Sequence, residues 1–337
     1  KSKYNSIMKE TSKYLVIEKD LIFNDYKDLV KKINSIDNVR IDKYNHRLYP
    51  YNELAAQLIG FTDYDNQGKY GVEGYFNSLL SGKKSKVEYN KTASGKTILD
   101  QNTSPLPGNG SNIVLTIDIK IQEILQNQLK NALAFNKAKS ANGIIVNPNN
   151  GEILAMASIP DFNLNERVSI TDKNYINRIT KGVYELGSVF KLFTVAAALN
   201  EKIVEPETEF LNLEKEIECD GRPIREYDNE IPKNLTVEQI LIRSGNIGSV
   251  RIGQMLGAEK LKSFYSKIGI LNRIDFDIDE TGTPIPFVWG KCKLATVSFG
   301  HGITTTPLQL AKAYSIISNG GFDIQPTLIK KDSKQNL

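Results

Sequence analysis

The run "SPLPGNGSN", residues 104–112, is the feature that most limits how this chain can fold. Its prolines lack the N–H that a helix or a strand would use, and its glycines carry a high entropic cost of ordering. No regular element is expected to cross it, so the chain should divide into residues 1–112 and 113–337. Size agrees, because 337 residues with 40% hydrophobic content exceed what a single core usually holds.

Before the break, "FNDYKDLVKKI" fits a short surface helix, and a Tyr/Gly-rich region runs to about residue 82. After the break the pattern is regular. "NIVLTI" reads as a strand, and Asp118 is placed to cap a helix over "IKIQEILQNQLKNALA", in which Ile121, Leu125 and Leu129 recur at helical spacing. "NGIIVNPNNGEILAMAS" reads as a β-hairpin turning at 147–151. Further on, Thr236 with Gln239 and Thr306 with Gln309 have the spacing of capping boxes, the second with Pro307 at the first helical position. Gly257, Gly269 and Gly320 fall where helices end. The predicted class is α/β (α+β), with strands flanking a helical set.

Composition excludes several functions. The net charge of +4 is spread along the chain with no block of like charges, so no nucleic-acid-binding tail is expected. The two cysteines, Cys219 and Cys292, and the two histidines, His46 and His301, have no zinc-ligand spacing, so no metal is expected. No apolar run reaches about 18 residues and the chain opens on the polar "KSKYNS", so neither a spanning helix nor a signal peptide is expected within it.

Chemistry is suggested by "VYELGSVFKLFTVAAALN", residues 183–200. A serine hydroxyl needs a base to take its proton during attack, and i,i+3 spacing at a helix start places Lys191 beside Ser188. Gly187 can adopt backbone angles closed to other residues, and N–H groups at the helix N-terminus could stabilise an oxyanion. Lys191 must be neutral to act as the base, and the apolar Leu192, Phe193, Val195, Ala196 and Ala197 provide for its burial. The same spacing occurs at Ser6–Lys9 and Ser81–Lys84, but only Ser188 opens a long apolar helix. Ser244-Gly245-Asn246 lies on a short loop between two helices, where polar side chains can project into a cleft. On its own it is an ordinary turn. Following Ser-x-x-Lys by some fifty residues, it has the order expected of penicillin-recognising serine acyltransferases.

With those residues in view, the chain resembles class B penicillin-binding proteins, peptidoglycan D,D-transpeptidases, of the septal, cell-division type. "RLYPYNELAAQLIGF" and "GKYGVEGYFNSLLSG" resemble the family's pedestal motifs. "NIVLTIDIKIQ", "VNPNNGEILAMASIPDFNLN" and Asn177-Arg178 resemble the approach to the nucleophile. "YELGSVFK" resembles its Pro-Gly-Ser-Thr-Phe-Lys box with Leu186 in place of proline, and "SFGHGITTTPLQLAKAYSIISNGG" is the most distinctive run. The resemblance implies a penicillin-recognising transpeptidase fold over 113–337, preceded by a non-catalytic, dimerisation-like pedestal over 1–112. It makes Ser188 the acylated nucleophile and Lys191 its base, with Ser244 relaying a proton and Asn246 holding the substrate amide. Gly187, Gly300, His301 and Gly302 are implied substrate-binding positions. No cofactor is implied. The implied partners are peptidoglycan stem peptides, β-lactams and divisome membrane proteins reached through residues 1–112. The implied location is the extracytoplasmic face of a bacterial inner membrane, on an anchor outside this chain. The family's Lys-Thr/Ser-Gly strand has no counterpart after Ser188, so the catalytic domain is expected to be incomplete at its C-terminal end.

Other readings fit less well. A phosphate loop at "TASGKT" needs glycine where Asn90 stands, and "EFLN" at 209–212 lacks the spacing and order of a β-lactamase deacylation box. A D,D-carboxypeptidase or β-lactamase-type hydrolase is the enzymatic alternative, and a β-lactam-acylated sensor or a non-catalytic divisome scaffold is the non-enzymatic one.

Overall fold

In a computed structural model the described residues are 26–33, 36, 39, 41, 47–63, 65–82, 89–91, 97–99, 109–166 and 173–330. Ser6–Lys9, Lys84, Gly95 and the first part of the breaker cluster, 104–108, lie outside them. The chain forms two compact units, residues 1–47 and 48–337.

In the first unit, α1 (Lys27–Ile33) buries none of its residues. Asp28 in its first turn and Lys31 and Lys32 in its last suit the helix dipole.

The second unit begins with three short helices, α2 (Ala56–Ile59), α3 (Gly71–Tyr75) and α4 (Asn77–Leu80). The ribbon β1 (Tyr89–Lys91) with β2 (Thr97–Leu99) follows. Next come α5 (Ile119–Phe135) and the antiparallel hairpin β3 (Ala141–Val146) and β4 (Ile153–Ile159). Leu58, Val72 and Phe76 share one apolar core with Ile153, Met156, Ile179 and Leu308, so segment 48–82 is built into the unit that holds the hairpin.

Asp118 caps α5 as its sequence position predicts, accepting from the N–H groups of Lys120 and Ile121 at 2.9 and 3.1 Å. The inward face of α5 carries buried amides beside its apolar stripe. Gln122 and Gln126 are its buried residues, while Leu125 and Leu129 lie over Gly143 of β3. The reason is hydrogen bonding: β4 offers unpaired backbone groups, and a buried orphan costs more than a buried amide that satisfies it. Gln122 Oε1 accepts from Met156 N–H (2.8 Å), and its Nε2 donates to the Met156 carbonyl (2.9 Å).

The remainder is mainly helical. α6 (Lys191–Asn200) is followed by β5 (Glu209–Phe210), the hairpin β6 (Glu216–Cys219) and β7 (Arg222–Arg225), and β8 (Leu235–Thr236), which pairs with β5. Then come α7 (Val237–Ile242), α8 (Asn246–Leu256), α9 (Ala258–Lys267), α10 (Lys291–Val297) and α11 (Pro307–Ser318). Both predicted capping boxes form, at Thr236/Gln239 on α7 and at Thr306/Gln309 on α11. Gly257, Gly269 and Gly320 all have positive φ. α6 is buried on several sides, with Phe193 and Ala197 in one apolar cluster and Val195 and Ala198 in another. That is why its sequence is apolar all round. No helix among the described residues is long and apolar enough to cross a membrane.

Candidate active site

Ser188 does not open the α-helix. It lies in a 3-10 turn, Gly187–Phe190, that leads into α6, and the backbone N–H of Lys191 donates to the Ser188 carbonyl. In a 3-10 turn residues i and i+3 eclipse, so the predicted adjacency of Ser188 and Lys191 survives the change of helix type. Ser188 is exposed, and its hydroxyl makes no hydrogen bond among the described residues.

Lys191 is the opposite case, only 1% exposed. Its ammonium reaches across to the loop between α7 and α8, donating to Ser244 Oγ at 2.9 Å and to the Ser244 carbonyl. Burial pulls its pKa from 10.5 down to about 8, against the field of Glu226, which favours the charged form. Ser244 sits at φ 53°, a left-handed conformation uncommon for serine, which turns both of its oxygens toward Lys191. Asn246 begins α8, and its side-chain amide donates to the Arg225 carbonyl at 2.8 Å. The structure thus gathers Ser188, Lys191, Ser244 and Asn246 at the ends of α6 and α8.

Gly300 meets the backbone of Gly187, and His301 and Gly302 follow it in the chain. Gly187 has φ 67° and Gly300 φ 86°, and a Cβ on Gly300 would stand 1.8 Å from the Gly187 carbonyl oxygen. Only glycine fits where these two backbones touch. Gly302 N–H donates to Glu185 Oε2 (3.1 Å), and His301 Nδ1 lies 3.3 Å from the same oxygen. The His301 side chain is 70% exposed and stacks on Phe299. Tyr184 and Thr305 exchange two backbone hydrogen bonds of 3.0 Å, fastening segment 298–305 along the approach to the serine turn.

Two features escape a reading of the sequence. One is Glu226, whose carboxylate accepts from the N–H groups of Asn246 and Ile247 at the start of α8, at 2.6 and 3.0 Å. The signal for it is indirect: Gly245 has no side chain to cap α8, so a cap had to come from elsewhere. The other is the disulfide Cys219–Cys292, which ties β6 to the first turn of α10. Its partners are 73 residues apart, and no spacing rule links them.

A serine on a turn, a buried lysine one turn on and a second serine bound to that lysine define a site suited to serine acyl transfer. The chain belongs to the penicillin-binding protein transpeptidase family. Residues 142–336 match the penicillin binding protein transpeptidase domain, and residues 1–115 match the penicillin-binding protein dimerisation domain. Stage V sporulation protein D of Bacillus subtilis is 33% identical over 309 residues, 89% of this chain and 48% of that protein. The peptidoglycan D,D-transpeptidase FtsI of Escherichia coli K12 is 31% identical over 311 residues, 91% of this chain and 52% of that one. Among solved structures, penicillin binding protein 3 of Mycobacterium tuberculosis complexed with aztreonam superposes with a TM-score of 0.73 at 25% identity, covering 84% of this chain and 60% of that one. The chain spans about half the length of the curated relatives it matches.

Proposed function

We propose that this protein is a peptidoglycan D,D-transpeptidase that cross-links stem peptides through an acyl-enzyme on Ser188. The observation that carries the reading is the buried Lys191 bound to Ser244 one turn from an exposed Ser188 hydroxyl that has no hydrogen-bond partner among the described residues.

The reaction would run in two halves. Ser188 Oγ attacks the penultimate D-Ala carbonyl and its proton passes to neutral Lys191. The tetrahedral intermediate collapses, the C–N bond breaks, and D-Ala leaves with a proton delivered through Ser244. An amine of a neighbouring strand then attacks the Ser188 ester, forming the new amide and returning the hydroxyl. Asn246 holds the donor amide beside the serine, and Gly187, Gly300, His301 and Gly302 shape the wall along which the peptide lies. A β-lactam would occupy the same site as a trapped acyl donor, and the matched protein solved with aztreonam supports that reading.

Residues 1–112 would serve as a pedestal for membrane proteins of the division machinery, with the catalytic part on the extracytoplasmic face. Septal wall synthesis is the role supported by the likeness to FtsI. The likeness to a stage V sporulation protein favours, as a second reading, the same chemistry used during sporulation.

The test is D-Ala release and cross-link formation from a D-Ala-D-Ala stem peptide by the protein at the length its cell makes. Release by the wild type that disappears in Ser188→Ala is expected. Equal release by both proteins would overturn the assignment.

A further inference from the structure

We propose that Glu226 is the positioning residue of this site: its carboxylate closes the open end of α8 and thereby fixes Ser244 and Asn246 against Lys191. The inference rests on the acyl-transfer reading above and deepens it.

A helix leaves its first N–H groups without partners, and the usual remedy is a side chain at the N-cap. At α8 the N-cap is Gly245, which has none. Glu226 substitutes from twenty residues away in sequence, one oxygen on Asn246 N–H (2.6 Å) and the other on Ile247 N–H (3.0 Å). A carboxylate at this end also meets the positive pole of the helix dipole. The residue before it contributes a third bond, the Arg225 carbonyl accepting from the Asn246 side chain at 2.8 Å. The end of β7 therefore grips both the backbone and the side chain of Asn246.

The grip matters because the turn it holds is strained. Ser244 carries φ 53° without being glycine, and such a conformation persists only when its surroundings enforce it. On one side, Ser244 N–H bonds to the Leu241 carbonyl and Gly245 N–H to the Ile240 carbonyl. On the other, Glu226 fixes the two residues that follow the turn. The β6–β7 hairpin that delivers Glu226 is itself anchored to α10 through Cys219–Cys292.

Glu226 has a second effect through its charge. Its field favours the ammonium form of Lys191. Of the other charged groups nearby, Arg251 on α8 pairs with Glu214, Arg225 on β7 pairs with Glu216, Lys293 on α10 bonds the Gly302 carbonyl, Glu185 before the serine turn holds His301 and the Gly302 N–H, and Arg243 at the end of α7 is exposed. The remaining residues of α6, 192–200, carry no charge. Removing the Glu226 charge should therefore have two separable consequences. The turn loosens and the rate plateau falls, while neutral Lys191 becomes easier to reach and the acid limb of the rate profile moves to lower pH.

The experiment follows acylation by a fluorescent penicillin across the Lys191 titration for the wild type, Glu226→Ala, Glu226→Gln, Glu226→Asp and Ser188→Ala, all at cellular length, with thermal midpoints measured in parallel. Glu226→Ala should lower the plateau by up to about a hundredfold, the scale set by ångström misplacement of reacting groups. Both Glu226→Ala and Glu226→Gln should shift the limb to lower pH. Glu226→Asp, which keeps the charge, should restore the limb position without fully restoring the plateau. If Glu226→Ala does not fold, the comparison of Gln with Asp carries the test. Ser188-specific labelling with an unshifted limb in Glu226→Gln would make Glu226 a stabilising cap only and overturn the inference alone. Labelling that persists in Ser188→Ala would overturn the reading beneath it.

Discussion

The chemistry at residue scale turns on one lysine. With a pKa of about 8, Lys191 is neutral in about one molecule in ten at pH 7 and in half of them one pH unit higher. A base must be neutral to accept a proton, so Ser188 acylation should rise with pH along a limb centred near 8. A rate that is flat across that interval would show that Lys191 does not carry the proton. Lys191→Ala should slow acylation by ~10²–10⁴ while circular dichroism stays native, because the loss is one of proton transfer. The sequence allowed part of this to be read. Ser-x-x-Lys at the head of an apolar helix placed Ser188 and Lys191 together and foretold the burial that lowers the pKa. The contact of Lys191 with Ser244 was not readable from spacing, since the two are 53 positions apart with β5 to β8 and α7 between them.

Among the elements, segments with local rules were legible and those joined through tertiary contacts were not. The two capping boxes, the Asp118 cap and the β3–β4 hairpin depend on residues within a few positions of one another, and each forms as read. The burial of Gln122 on α5 does not follow from its apolar spacing, because Gln122 answers the backbone of a strand 34 residues away. Glu226 is hidden for the same reason. Gly300 is a junction between elements, at positive φ and with the Gly187 carbonyl oxygen 1.8 Å from where a Cβ would stand. Gly300→Ala should push the serine turn aside, and a displacement on the ångström scale should cost about a hundredfold in acylation. Acylation at the wild-type rate in Gly300→Ala would mean that this backbone contact does not position Ser188.

At the scale of the whole molecule, one cross-link stands out. Cys219–Cys292 closes a loop of 73 residues that contains Glu226, Ser244 and Asn246, and the chain-entropy account assigns such a closure about 4 kcal/mol. Chemical denaturation with and without reductant should show a loss of that order, and identical midpoints would mean that the bond adds no stability. The mixed α/β class was legible from the alternation of hairpin and capped helices, whereas the inclusion of segment 48–82 in the same core as β4 was not, because the cluster that holds Leu58, Phe76 and Met156 joins residues far apart in sequence. The central claim is that Ser188 forms a covalent acyl-enzyme, and peptide mapping by mass spectrometry after exposure of the cellular-length protein to a β-lactam tests it most directly. The account predicts one adduct, on the peptide containing Ser188, absent from Ser188→Ala; an adduct on another residue, or one that survives the substitution, would contradict it.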